Sequence, residues 1–114
     1  MGLPRVSLVA AAAFLLVQAH APGRAESLAT LYGRTLGEAS ECKAIARARI
    51  DRAATLASAH IKSLAATPAE RMAAGNSLAK GVDRGSRDVT SGAITCRQAE
   101  SELDALEHEL AASR

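Results

Sequence analysis

Aromatic side chains are nearly absent from this sequence: it has no tryptophan, one phenylalanine (Phe14) and one tyrosine (Tyr32). Any core must therefore be built from Ala, Leu, Ile and Val, which bury less surface per residue than aromatic rings. Cysteine is equally scarce, with only Cys42 and Cys96. Their wide separation rules out a C-x-x-C redox pair and a C-x-x-C-H haem attachment. No Gly-rich phosphate loop, G-x-S-x-G elbow or H-E-x-x-H motif occurs, so the chain is read as non-enzymatic. A long apolar run is missing too. The stretch Val6–Val17, interrupted only by Ser7, is 12 residues long, against the roughly 20 that a membrane-spanning helix needs.

That short run has another meaning. Arg5 precedes it and small residues follow, giving the charged start, apolar middle and small-residue cut of a secretory signal peptide. Two cuts fit, after Ala21 in Ala19-His20-Ala21 or after Ala25 in Gly23-Arg24-Ala25. Pro22 would stand just past the first, which favours the second and assigns residues 1–25 to the signal and 26–114 to a single helical domain. No cysteine lies near either cut, so a lipid-modified anchor is excluded, and no stable membrane insertion is expected after cleavage. The abundance of Ala, and of Arg over Lys, is that of a GC-rich bacterial genome, which makes the expected location periplasmic or secreted.

Cleavage also changes the charge. Arg5 and Arg24 leave with the signal, so the 14 basic residues fall to 12, level with the 12 acidic ones. A nucleic-acid binder carries a positive excess or stripe, and this domain has none. Cys42 and Cys96 form the one intramolecular pair available in an oxidising compartment. Closing a loop of this size is worth about 4 kcal/mol in loop-closure entropy, a large share of the stability of a domain this small.

Apolar spacing predicts four helices and no strand. The first covers about Ser27–Ser40, with Leu28, Leu31, Tyr32, Thr35, Leu36 and Ala39 on one face. The second runs from about Lys43 to Ala66 along Ala46, Ile50, Ala53, Ala57, Ile61 and Leu64. Thr67-Pro68-Ala69-Glu70 starts the third as a capping box, since Thr67 can cap while Glu70 reaches back, and Pro68 suits the first helical position. Its predicted face is Met72, Gly75, Ala79, Val82, Ser86 and Val89, weakened by Gly75, Gly81 and Gly85. Thr95 and Gln98 form a second capping box ahead of the fourth helix, Cys96 to about Ala111, with a seam of Cys96, Ala99, Leu103, Leu106 and Leu110. The expected fold is all-α, a small antiparallel bundle of three to four helices with one disulfide.

Few residues point to chemistry. His60 borders the second helix's apolar stripe and reads as a boundary residue. Gly33–Gly37 and Gly81–Gly85 both match G-x-x-x-G, a spacing that lets helix backbones approach closely. If buried, they mark a second contact face, for a partner or a homodimer. On the last helix Glu100, Asp104 and Glu107 fall within a sector of roughly 60°. With Asp83 as a fourth ligand they suit a hard cation such as Ca²⁺ or a lanthanide; alternatively they bridge to neighbouring basic residues such as Arg97 and His108. The functional readings are therefore an exported helical interaction module, a hard-metal binder, and a small periplasmic stress chaperone.

Overall fold

The computed structural model describes residues 23–114. The apolar run and the cut after Ala21 lie outside the described residues; the cut after Ala25 falls inside the first helix. Four helices follow one another: α1 (Arg24–Ser40), α2 (Arg47–Leu64), α3 (Pro68–Thr90) and α4 (Cys96–Ala112). Each boundary has a local cause. Gly23 opens α1, its N–H donating to the Glu26 carboxylate at 3.2 Å. At the head of α3 the Glu70 N–H donates to Thr67 Oγ1 at 3.1 Å, and Pro68 occupies a position where no intrahelical N–H is needed. Thr95 and Gln98 cap α4 reciprocally. Gly92, at φ 83°, turns the chain out of α3 in the left-handed region that glycine adopts without strain.

Side-chain pairings give the directions. Tyr32 meets His60, so α1 and α2 run antiparallel. Gly33 abuts Leu78 and Val82, while Gly85 abuts Arg34 and Glu38, so α1 and α3 run parallel. The Cys42–Cys96 disulfide, with a Cα–Cα distance of 5.6 Å, sets α4 antiparallel to α1. The topology is thus up-down-up-down. α1 is the central element, packed on all three others, and the core is the Ala- and Leu-built cluster of Ala29, Tyr32, Leu36, Ile50, Ala57, Ile61, Leu103 and Leu110.

The most intimate contact is between α1 and α3. A Cβ placed on Gly33, Gly37, Gly81 or Gly85 would collide with a backbone carbonyl of the facing helix, namely that of Leu78, Val82, Thr30 and Arg34 respectively. The two G-x-x-x-G segments therefore pack on each other within one chain, and backbone meets backbone. This corrects the first half of the expected face of α3, while Val82 and Val89 of its second half do pack against the core. Met72 is 71% exposed, Gly75 and Ala79 face solvent, and the buried residues are Ala74, Gly81 and Gly85. Met72 stands about 180° around the helix from Gly81. The close approach that glycine permits decided the orientation of α3, over the apolar period.

Two smaller corrections concern α1 and α2. Leu31 lies in the expected stripe yet is 57% exposed. α2 begins at Arg47, because residues 41–46 form a turn in which the Ile45 N–H donates to the Cys42 carbonyl at 3.0 Å. Ala46 is accordingly an exposed cap rather than a core residue. The disulfide hence joins the end of α1, rather than the start of α2, to the start of α4.

Candidate binding groove between the first and last helices

The three carboxylates singled out on α4 do come together, and an arginine lies among them. Arg49, at the start of α2, donates to Glu107 through Nε at 3.1 Å and Nη2 at 2.7 Å. It also pairs with Asp104 and, at 3.7 Å, with Glu100. The Glu107 carboxyl is held below its ordinary range by these hydrogen bonds, and the Arg49 guanidinium is raised by them. Asp83 is elsewhere, paired with Arg87 one turn along α3 at 2.9 Å. It does not join the α4 trio. Among the described residues no group of three His, Cys, Asp or Glu side chains is disposed around a metal position. The bridging partner is Arg49; His108 instead contacts the Asp104 backbone carbonyl.

On its other side α4 forms an open groove with α1. Its walls are Leu28, Leu31, Tyr32 and Thr35 from α1 and Glu102, Ala105, Leu106 and Glu109 from α4, enclosing about 370 Å³. Both sets follow the i, i+3, i+4, i+7 spacing of a single helix strip. Glu102 and Glu109 are two turns apart on α4, about 10 Å along its axis.

Two buried polar groups on α1 face this side of α4. Tyr32 is 3% exposed, and its hydroxyl has no hydrogen-bond partner among the described residues. Burial, and after it the Glu109 carboxylate, push the phenol up to about 12, with Arg24 opposing. No hydrogen bond of ordinary geometry closes between hydroxyl and carboxylate. Glu38 is 1% exposed and its Oε1 is unpartnered among the described residues. Burial raises it to about 8; the Glu102 carboxyl adds to the rise, Asp88 contributes, and Arg34 opposes. A carboxyl this deeply buried is held in its neutral form near pH 7.

The strip is inverted relative to the usual partition of side chains. Leu31 stands out in solvent, while Glu38, seven residues on and only about 20° round the helix, is buried.

The sequence reading did not single out Glu38, Glu102 or Glu109. Glu38 is the i+7 position of Leu31 in a stripe drawn as apolar, and a carboxylate there was the available signal. Glu102 and Glu109 share a face opposite the metal trio, and only the placement of α1 gives that face a partner.

The fold and groove define a disulfide-linked four-helix bundle with a carboxylate-edged cleft. Compared with known protein families, curated proteins and solved structures, the chain has no significant match.

Proposed function

We propose that this chain is a small exported, non-enzymatic helical binding protein that takes a cationic ligand in the α1–α4 groove. The observation that carries this reading is how the acidic side chains are partnered. Of the 12 acidic residues, Glu26, Glu41, Asp51, Glu70, Asp83, Asp88, Glu100, Asp104 and Glu107 each have an ion pair or hydrogen bond among the described residues. The remaining three are Glu38, Glu102 and Glu109, and all three lie along the α1–α4 seam. Glu38 is held neutral, which leaves Glu102 and Glu109 as carboxylates with no ion pair among the described residues beside an apolar wall, a setting that attracts a cation whose body is apolar. The disulfide supports the exported setting, since such bonds persist in oxidising compartments. A hard-metal site at Glu100, Asp104 and Glu107 has less in its favour, because Arg49 already supplies the positive charge there.

Tyr32 is the only tyrosine and the chain has no tryptophan, so its fluorescence reports the groove directly. Titration with an amphipathic Lys/Leu helical peptide and with its Glu/Leu counterpart tests the reading. A saturable Tyr32 response to the Lys peptide alone, abolished in E102Q/E109Q, supports it. Equal responses to both peptides, or a response that survives the double substitution, would overturn it.

A further inference from the structure

We propose that the ligand of this groove is a linear polyamine, an extended methylene chain with ammonium groups at its ends. The inference rests on the cationic-ligand reading above and names the chemical class.

Glu102 and Glu109 are the two charged groups of the groove, and they sit about 10 Å apart on one strip of α4. Leu28, Leu31 and Leu106 lie among its apolar walls. A flexible triamine of spermidine length spans such a spacing when extended, laying its methylenes on the leucines and an ammonium at each carboxylate. A four-carbon diamine reaches only one end. The groove's volume of about 370 Å³ suits a slender chain and is at the small end for ligand pockets.

Behind each carboxylate lies a buried polar group of α1: Glu38, whose Oε1 has no partner among the described residues, behind Glu102, and the likewise unpartnered Tyr32 hydroxyl behind Glu109. Glu38 is not a wall of the groove and both atoms are covered, so the groups that meet the ligand are the exposed carboxylates of Glu102 and Glu109. An ammonium offers several donors to each, and an anionic chain would meet like charge at both ends.

The test is a Tyr32 fluorescence titration of the protein purified after expression of its full-length gene, using spermidine, putrescine and the Lys/Leu peptide as probes. Spermidine should bind about tenfold more tightly than putrescine, the difference made by one charge-assisted contact. E109Q should weaken spermidine about tenfold and change putrescine less than twofold, putrescine retaining the Glu102 end. Circular dichroism of each variant confirms that the helices are intact. Binding of the peptide without spermidine would overturn the polyamine assignment and leave the cationic groove standing. Silence from every cation would overturn both. Spermidine binding that is indifferent to E102Q/E109Q would reduce the effect to general attraction for a polycation and also overturn the assignment.

Discussion

Replacing Glu38 with Gln should change how the protein's stability depends on pH. The native carboxyl is pushed up to about 8 from an ordinary 4.5, chiefly by burial and next by Glu102. Between those values the folded chain holds a proton that the unfolded chain has released. This stabilisation is complete below about pH 4.5 and is lost as the pH climbs through about 8. The slope within the window approaches 1.4 kcal/mol per pH unit, so the whole window is worth on the order of 3–5 kcal/mol. Gln keeps the shape and cannot ionise. The other charged groups facing Glu38 are Glu102 on α4, Arg34 on α1 and Asp88 on α3. The Glu107–Arg49 pairing has the opposite sign, with stability lost as acid protonates Glu107, and acts below the ordinary carboxylate range. Urea unfolding followed by circular dichroism at pH 5, 6, 7 and 8 should show wild type losing about 3 kcal/mol across the series. E38Q should lose under about 1 kcal/mol. Parallel losses in the two proteins would refute the view that Glu38 is buried neutral.

Three further outcomes follow from the packing. Gly37→Ala, which drives a methyl group into the Val82 carbonyl, should cost about 1–3 kcal/mol, whereas Gly75→Ala, with nothing within 4 Å, should add up to about 1 kcal/mol through helix propensity; equal effects in thermal melts would contradict the α1–α3 contact. Arg49→Ala should let the Glu107 carboxyl rise back toward its ordinary range, since the Arg49 hydrogen bond is the main cause that holds it down, and a side-chain NMR titration should show the rise; an unchanged titration would show that the guanidinium does not hold it. The C42S/C96S double variant should unfold about 4 kcal/mol more easily, and intact mass of the native protein should be lighter by two hydrogens, which a fully reduced chain would contradict.

The parts of this fold that could be read in the sequence are those governed by local chemistry. The caps at Thr67 and Thr95 and the α4 seam of Leu103, Leu106 and Leu110 depend on spacing within one helix, and they stand as expected. The α2 stripe of Ile50, Ala53, Ala57 and Ile61 is likewise intact. The orientation of α3 could not be read the same way. Its buried face is set by glycines, which carry no hydropathy signal, against a helix some 48 residues away in sequence. The spacing of Gly33–Gly37 and Gly81–Gly85 was visible, yet nothing in one sequence tells whether such motifs meet each other or another chain. The carboxylates followed the same rule. Glu100, Asp104 and Glu107 share a sector that helix geometry alone defines. That Arg49 should fill it, and that Glu102 should face a buried Glu38, depends on how α2 and α1 pack on α4.

The groove itself is tested most directly by a map of amide chemical shifts during a spermidine titration. Saturable changes should concentrate at residues 28–38 of α1 and 102–109 of α4, with the far face of α3 around Met72 silent. Changes centred on Arg49 and Glu100, or scattered over every acidic residue, would contradict it.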